Sequence, residues 1–304
     1  MLLTCDGRMI SIKWKVFPLW NTITIQSGRA SQAWLNTPVT TTSKTMSSLL
    51  ERSFKTLEQL AMHPEGQTVS MVAATLDMPL SATHRLLTEL CRCGYVRQVR
   101  EQGEYVLTIK LVSLGLGFLS ASGVVDVAQP LLERLAEESG ELVRLAVVDG
   151  DDLTFVAKAQ GARRGLRYDP DMGLSVRLSC SSAGHAWLAT MSDEEALQQV
   201  AKQGFGTPQE FGPKAPTTVK ALLAYIHTAR KRGFSTISEV FAPSMSAMAA
   251  PVRSASGTIG VVTIAGPMVR LTQARMEELA EALMATADDI RGASGASAMF
   301  KKRA

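Results

Sequence analysis

Two short segments in the first third of the chain carry apolar residues at helical spacing. Their apolar positions are Val72, Ala73 and Leu76 in the first segment, and Leu86, Leu87 and Leu90 in the second. Asp77-Met78-Pro79 separates them, because a residue that precedes proline is driven out of the helical region. Gly94 is expected to end the second helix, since glycine commonly follows a helix terminus. This spacing predicts two helices joined by a tight turn.

Flanking segments complete a small domain around this helix pair. Residues 47–62 are predicted to form a preceding helix, whose inner face carries Leu50, Phe54, Leu57, Leu60 and Ala61. After Gly94, residues 95–100 and 104–108 have strand character, and Glu101-Gln102-Gly103 offers a turn in which glycine supplies a positive φ. A helix-turn-helix followed by a charged hairpin is a winged helix-turn-helix, a layout typical of DNA-binding proteins.

The polar face of the second helix is the predicted DNA-contacting surface. Its side chains, expected to face the major groove of double-stranded operator DNA, are Ser81, Thr83, His84, Arg85 and Thr88. Arg97 and Arg100 on the hairpin are expected to contact phosphates. Ser81 is either the helix cap or a first-turn residue behind Pro79. Arg85 has the alternative of pairing with Glu89 one turn away, and the helix pair has the alternative of a pure packing unit.

A further apolar-rich helix is predicted over residues 109–121, with a domain boundary at Ser122-Gly123. It has more apolar surface than a solvated linker needs, so it is either a dimer contact or packs on its own winged domain. Beyond it, helices are predicted at residues 124–139, 183–190, 193–202, 218–232 and 272–290, and strands at 141–148, 153–159, 247–252 and 259–265. Hairpin strands with helices at both ends predict an antiparallel sheet covered by helices, and hence an α+β fold.

Length and charge refine this picture. The 304 residues suffice for two domains, and no uncharged apolar run reaches the roughly 18 residues of a transmembrane helix. The first 45 residues hold five basic residues against Asp6 alone, which accounts for the whole net charge of +4. The DNA-contacting segment therefore depends on where its arginines lie and not on bulk charge.

Residues 1–45 differ from the rest of the chain. They contain Trp14, Trp20 and Trp34 and a threonine-rich run, but no apolar core and cleavage site of a signal peptide. We expect this leader to lie outside the folded domains. It is either a mis-started segment, with Met46 as the true first residue, or a flexible basic arm.

The cysteines and histidines do not indicate a metal site or an enzyme. Cys91-Arg92-Cys93 has no second cysteine pair or nearby histidine pair that would complete a zinc site. No disulfide framework is evident, which is typical of a reducing cytoplasm. Cys180 and His185 allow a cysteine-nucleophile hypothesis, but spacing marks no orienting carboxylate. With no nucleotide-binding or zinc-protease motif either, we expect no cofactor, no metal and no catalytic residue.

Five segments, in order along residues 47–290, resemble the IclR family of bacterial transcriptional regulators. They are residues 50–57, 81–87 with 94–96, 182–189, 231–234, and 249–252 with 264–267. The third has the sequence Ser182-Ala183-Gly184-His185-Ala186-Trp187-Leu188-Ala189, and the last ends in Ile264-Ala265-Gly266-Pro267. Each segment alone is weakly specific, whereas five in the right order are strongly specific.

The resemblance implies a winged helix-turn-helix over residues 46–108, a linker helix over 109–122, and a GAF-like effector-binding domain with an antiparallel sheet over 123–291. Residues 292–304 are expected to be a flexible tail. It also implies dimers, often paired into tetramers, and control by a small metabolite. The expected partners are therefore operator DNA, a small-molecule effector of carboxylate type, and further copies of this chain. No membrane partner is expected.

The effector site is predicted where residues 179–184 enter a short helix, because the amides of a helix start favour anionic groups. By resemblance, Ser182 and Ala183 supply those amides and Thr263 adds a hydroxyl. The full set of candidate effector residues is Ser179, Ser181, Ser182, Ala183, Gly184, Ile237, Ala247, Met248, Thr263 and Ala265. The alternative is that Ser181 merely caps the helix and the apolar members belong to the core.

Departures from the family limit what can be carried over. Leu80 and Ala82 stand where the family often has a basic residue and a threonine, so no operator sequence can be borrowed. Ser179, Ile237 and Ala247 stand where acid-sensing members have histidine, aspartate and cysteine. The pocket is therefore expected to be less polar and to suit an aromatic or branched organic acid. A ligand-sensing module or scaffold without DNA binding remains the alternative function.

Overall fold

The computed structural model describes Thr4–Cys5, Arg8–Met9 and residues 48–100, 103–170, 175–207, 210–255 and 257–297. The chain divides into two compact units, one with the described residues 48–126 and 296–297 and the other with the described residues of 127–295. The prediction of a leader over residues 1–45 lies outside the described residues, apart from strands β1 (Thr4–Cys5) and β2 (Arg8–Met9), which pair antiparallel.

The first unit is a winged helix-turn-helix, as predicted. It contains α1 (Leu49–Ala61), α2 (Val69–Thr75), α3 (Leu80–Arg92), β3 (Val96–Gln98), β4 (Tyr105–Leu107) and α4 (Ile109–Ser122). Ser48, Thr68 and Thr108 cap helices α1, α2 and α4 through their side-chain oxygens. Gly94 follows α3 with a φ of 78°, a left-handed conformation that glycine adopts without strain. Gly103 in the wing turn does not have the positive φ we expected.

The core of the first unit forms where the apolar stripes of its helices meet the hairpin. Its buried members are Leu57, Leu60, Val72, Leu86, Leu87, Leu90, Val96 and Tyr105. The predicted inner face of α1 was partly wrong, because Leu50 and Phe54 are 65% and 56% exposed. The buried face of α1 is rotated toward Thr56, whose hydroxyl donates to the carbonyl of Arg52 and so tolerates burial.

The second unit is built on a five-stranded, fully antiparallel sheet, which confirms the α+β class. Its strands are β5 (Leu142–Asp149), β6 (Asp152–Gln160), β7 (Ser235–Ser238), β8 (Met245–Ser254) and β9 (Gly257–Pro267), in the order β6-β5-β9-β8-β7. Its helices are α5 (Val124–Ser139), α6 (Ser182–Leu188), α7 (Asp193–Gln203), α8 (Val219–Arg232), α9 (Gln273–Glu278) and α10 (Ala280–Ala293). Every residue of β9 from Ile259 onward is buried, so both faces of the sheet are covered.

Three predictions about the second unit need correction. Strand β7 was missed, because Ser235–Ser238 is short and mostly polar and is held only by pairing with β8. The helix predicted over residues 272–290 is two helices, α9 and α10, which meet at Leu279. The tail predicted from residue 292 is structured at its start, since α10 ends at Ala293 and a 3-10 turn covers Ser294–Ala296. The buried hydroxyl of Ser297 donates to the carbonyl of Ser122, and residues 298–304 lie outside the described part.

In the described part of the chain, no single helix is long and apolar enough to cross a membrane. Helices α4 and α5 pass such a test only when they are taken together as a broken pair, on length and composition alone.

Candidate DNA-binding surface and effector pocket

Helix α3 exposes a polar face beside the turn that precedes it. Ser81, His84, Arg85 and Thr88 are all exposed, and the leucines of the apolar stripe are buried. Pro79 occupies the N-cap without a side-chain hydrogen bond, so Ser81 lies in the first helical turn and does not cap the helix. Four of the five side chains predicted for this surface are therefore open to a partner.

Thr83 does not belong to this face, which corrects the prediction. Its side chain is fully buried, and its hydroxyl donates to the carbonyl of Pro79 at 3.1 Å. The position lies on the core side of α3, where a threonine is tolerated because the preceding turn satisfies its hydroxyl. Thr83 thus helps to hold the start of α3.

The arginines of the first unit differ in whether they form ion pairs. Glu89 pairs with Arg92 at 2.9 Å, so the alternative partner proposed for Arg85 is already occupied. Arg85, Arg97 and Arg100 are exposed and form no ion pair with any residue that the structure describes. Their guanidinium groups are free to approach guanine edges or phosphates.

A small cleft at the start of α3 adds two cationic residues that sequence reasoning missed. Arg52 and Lys55 on α1, with residues 76–79 of the turn, line a cavity of about 90 Å³. Lys55 is held there by an ion pair with Glu51 at 2.6 Å. The sequence shows only that they are charged residues of α1. Their place beside α3 depends on tertiary packing.

More residues at the start of α6 serve to cap and pack the helix than predicted. The hydroxyl of Ser181 accepts a hydrogen bond from the amide of Gly184 at 3.0 Å and donates to the carbonyl of Arg177 at 2.5 Å. A Cβ at Gly184 would lie 2.4 Å from the carbonyl oxygen of Leu178, so only glycine fits there. Ser181 is therefore a helix cap, as the alternative hypothesis held, and Gly184 permits close packing. Ser182 and Ala183 are buried, and the carbonyl of Ser182 accepts from Ser235 at 2.6 Å.

The strand register brings most of the remaining candidates onto one face of the sheet. Cross-strand partners share a face. One row contains Ile237, Ala247, Ala265, Leu142 and Gln160, and the next contains Ser235, Ala249, Thr263, Arg144 and Lys158. Ala249 packs in one cluster with Ala183 and Ala186 of α6, which places α6 over this face. Their small side chains allow α6 to pack close to the sheet.

Met248 is on the other face of the sheet, which corrects its assignment to the pocket. Successive residues of a strand point to opposite faces, so Met248 cannot share a surface with Ala247. It aligns instead with Thr236 and Ile264 and is fully buried.

Several buried polar atoms near this face have no hydrogen-bond partner among the described residues. They are the hydroxyl oxygens of Ser179 and Thr263, Nδ1 of His185 and Nε of Arg144. Buried polar groups are satisfied in the great majority of cases, so such a group calls for a ligand or a solvent molecule. The guanidinium carbon of Arg144 lies 3.6 Å from the centre of the Phe155 ring. Burial lowers the pKa of Arg144, and the nearby Tyr168 and Asp169 oppose that effect.

Arg144 was not singled out from the sequence. The only signal was one charged residue inside an otherwise apolar strand, and its face became clear only through the pairing of β5 with β9.

Cys180 and His185 are not arranged as a nucleophile and its base. Burial raises the pKa of the Cys180 thiol to about 12, which keeps the thiol protonated at neutral pH. The Nε2 atom of His185 donates to the carbonyl of Ser179 at 2.9 Å, and the ring stacks on Tyr225. Cys91 is half-buried and Cys93 is exposed. Within the described ranges, no cluster of three or more histidine, cysteine or acidic side chains could hold a metal ion.

Comparison with protein families finds two matches. Residues 49–100 match the IclR helix-turn-helix domain, and residues 117–291 match the C-terminal domain of the bacterial transcriptional regulator IclR. The chain is 29% identical to the transcriptional repressor IclR of Escherichia coli K12, over 81% of this chain and 89% of that protein. It is 28% identical to the HTH-type transcriptional repressor AllR of the same strain, over 82% of this chain and 91% of that protein.

Solved structures agree in fold. A transcriptional regulator from Rhodococcus sp. RHA1 is 26% identical with a TM-score of 0.69, over 83% of this chain and 99% of that chain. An IclR homologue from Microbacterium hydrocarbonoxydans, crystallised with 4-hydroxybenzoate, is 23% identical with a TM-score of 0.68, over 82% of this chain and 100% of that chain. At this identity the second likeness concerns the fold alone.

Proposed function

The chain belongs to the IclR family of bacterial transcriptional regulators, and from that premise we propose that an oligomer of it binds an operator under the control of a small organic acid. It is a DNA-binding transcriptional regulator with a helix-turn-helix domain. Both Escherichia coli relatives are repressors, which favours repression as its mode of control. The site of action would be the bacterial cytoplasm, where the operator lies.

The exposed polar face of α3 is the observation that carries the DNA-binding surface. Ser81, His84, Arg85 and Thr88 would enter the major groove, and Arg97 and Arg100 would contact the phosphates beside it. Arg85 has the fork geometry that suits O6 and N7 of guanine. No described ion pair has to break before it binds.

Control by an effector is supported by the unsatisfied polar atoms on the α6 face of the sheet. Thr263, Ser179 and the neighbouring alanines and Ile237 would surround a small molecule with a polar group and an apolar body. The Microbacterium hydrocarbonoxydans homologue, whose structure contains 4-hydroxybenzoate, is consistent with an aromatic acid. Such a ligand would change operator affinity by binding two states of the protein with different strength.

Assembly is supported by the surface of α4. Six of its large apolar side chains are more than a third exposed: Ile109, Leu111, Val112, Leu114, Leu116 and Phe118. Contiguous exposed apolar surface marks interaction sites, and one recognition helix contacts too few base pairs for specificity. We infer that α4 contributes to a dimer, with tetramers as pairs of such dimers.

The test of DNA binding is a titration of full-length protein against the DNA upstream of its own gene, followed by fluorescence anisotropy. Arg85→Ala is expected to weaken binding by about 1–3 kcal/mol, which is roughly 5- to 150-fold. Arg92→Ala is the matched control, since Arg92 is held by Glu89 on the same helix. Equal affinity of wild type and Arg85→Ala would remove Arg85 from the interface.

The same titration separates a DNA-binding regulator from a module that only senses a ligand. Phosphate contacts make affinity fall steeply as salt rises. Absence of binding to any tested upstream fragment, even at low salt, would favour the sensing module.

A further inference from the structure

We propose that Arg144 is the residue that binds the anionic group of the effector, so that the effector is a small monocarboxylate with an apolar body. This inference rests on the proposed control by an effector and deepens it. It assigns the recognition of charge to strand β5 of the sheet and not to the start of α6, which is only seven residues long.

The strand register puts Arg144 on the same face of the sheet as the other effector candidates. Arg144 is paired with Thr263 of β9, which is paired with Ala249 of β8, which is paired with Ser235 of β7. The Ser235 hydroxyl donates to the carbonyl of Ser182 on α6, so the β7 end of this row lies against the start of α6. Arg144 and Thr263 are direct neighbours on that face.

Among the described residues, no anionic side chain pairs with the guanidinium of Arg144. It forms no ion pair with a described residue, and its Nε atom is buried with no acceptor. Among the described carboxylates, Asp169 acts on it electrostatically, but Asp169 already binds Lys158 at 2.8 Å and Arg167 at 3.2 Å. Arg144 is only partly exposed, and a charge that is partly removed from water without a partner is unfavourable, so this position favours an incoming anion.

A carboxylate matches the guanidinium group in shape as well as in charge. Arginine presents two parallel N–H groups to the two oxygens of a carboxylate. Phe155 supports one side of the guanidinium, and the unpartnered Thr263 hydroxyl beside it can donate to the same carboxylate. Lys158, the other cation of this row, is engaged with Asp169, so the row offers one free positive group and suits a single carboxylate.

The surroundings of Arg144 define the rest of the ligand. The next row of the face contains Ile237, Ala247, Ala265 and Leu142, whose side chains are small or apolar, and it ends at the uncharged Gln160. They offer no charged group to a second acidic function, and their methyl groups suit a ring or a branched chain. A dicarboxylate would leave its second charge without a partner on this surface.

The test uses matched pairs of probes on the full-length protein. Calorimetric titration and thermal shift would compare benzoate, 4-hydroxybenzoate, phenylacetate and 3-methylbutanoate with their primary amides, which have the same shape without the charge. Wild type is expected to bind at least one carboxylate more tightly than its amide. Arg144→Gln is expected to weaken that carboxylate about 10- to 100-fold, in line with a charge-assisted pair, and to leave the amide unaffected.

Two further variants keep the result interpretable. Arg163→Gln, which changes an exposed arginine paired with Glu137 in the same unit, is expected to bind the carboxylate as wild type does. Thr263→Val is expected to weaken the carboxylate by a smaller factor than Arg144→Gln. A purely structural Arg144 would instead lower the unfolding temperature without ligand and weaken acid and amide alike, which would overturn the proposal.

Two outcomes contradict the assignment in different ways. If Arg144→Gln binds the carboxylate as tightly as wild type, the anionic group lies elsewhere, and control by an effector stands. If no carboxylate of the panel binds better than its amide, the charge-recognition proposal fails. DNA binding, measured separately with Arg85→Ala, is untouched by either result.

Discussion

A single side-chain hydrogen bond accompanies the burial of Thr83 at the start of the helix that carries the DNA-contacting residues. Thr83→Val keeps the volume but removes the bond to the carbonyl of Pro79. We expect the free energy of unfolding of the first unit to fall by about 0.5–1.5 kcal/mol. Operator affinity should stay within about a factor of two. Denaturant titration and anisotropy would measure both, and a loss of affinity with unchanged stability would return Thr83 to the DNA-contacting face.

His185 makes the second unit sensitive to acid. Burial lowers its pKa from 6.5 to about 4, so the folded protein keeps the ring neutral while the unfolded chain protonates it near 6.5. The part of the free energy of unfolding that depends on a neutral His185 is therefore fully present above about pH 6.5. It is lost as pH falls toward 4, by up to roughly 3 kcal/mol. His185→Gln should lack this part of the pH dependence. If the free energy of unfolding changed with pH in the same way for wild type and His185→Gln over this range, the prediction would be refuted.

The residues of the site show where sequence reasoning succeeds and where it stops. Helical spacing alone separated Arg85 from the buried leucines of α3, because the period of a helix is known in advance. Thr83 was placed wrongly, since a threonine can be buried once a local carbonyl takes its hydroxyl proton. Arg144 was overlooked because the face of a strand residue depends on its register with β9, more than a hundred residues later in the chain.

The ion pair between Glu141 and Arg270, beside strands β5 and β9, leaves room only for glycine at position 266. Glu141 is only 3% exposed and accepts two hydrogen bonds from Arg270, at 2.6 and 2.8 Å. A Cβ at Gly266 would lie 2.4 Å from Oε2 of Glu141. We therefore expect Gly266→Ala to destabilise the second unit by about 1–3 kcal/mol through overpacking. Arg270→Ala should cost about 3–5 kcal/mol, because it leaves a buried carboxylate unpaired.

A second glycine provides the control for this prediction. Gly292 lies in helix α10, where an added Cβ meets nothing within 4 Å. Gly292→Ala should stabilise the protein by about 0.5–1 kcal/mol through helix propensity. Thermal unfolding of both variants would decide the point, and a neutral Gly266→Ala would mean that the ion pair can move aside.

Elements with strong local signals were predicted to within a residue or two, and elements held by pairing were not. Helices α5 and α8 have clear apolar periods and recognisable ends, and the predicted spans agree closely with Val124–Ser139 and Val219–Arg232. Strand β7 has one apolar residue and exists because β8 supplies its hydrogen bonds. The break at Leu279 between α9 and α10 carries neither proline nor glycine, so nothing local marked it.

The molecule as a whole is expected to be an oligomer through α4. Phe118→Asp puts a charge on its exposed apolar surface, where a partner chain would have to desolvate it. Wild type should sediment at twice or four times the mass of one chain, and Phe118→Asp should shift toward the monomer. Ser120→Asp, at an exposed polar position of the same helix, is the control. A wild-type monomer at micromolar concentration would contradict this assembly.

The order of the units along the chain was largely predictable, because the family motifs occur in the expected order and indicate which segment builds which unit. The effector pocket was predictable only in outline. The motifs indicated Thr263 and the start of α6, but strand register moved Met248 to the opposite face and brought Arg144 beside Thr263.

The unequal exposure of the cysteines makes this protein suited to selective labelling. Cys93 is exposed directly after α3, whereas Cys91 is half-buried and Cys180 is buried with a thiol that stays protonated. An accessible thiolate is the nucleophile that attacks a maleimide, so a maleimide dye at neutral pH should react at Cys93 well before Cys91 or Cys180. In a Cys5→Ser background, one fluorophore would then stand at the far end of the helix that contacts DNA. Its emission could follow operator binding and release in real time, with no label on the DNA.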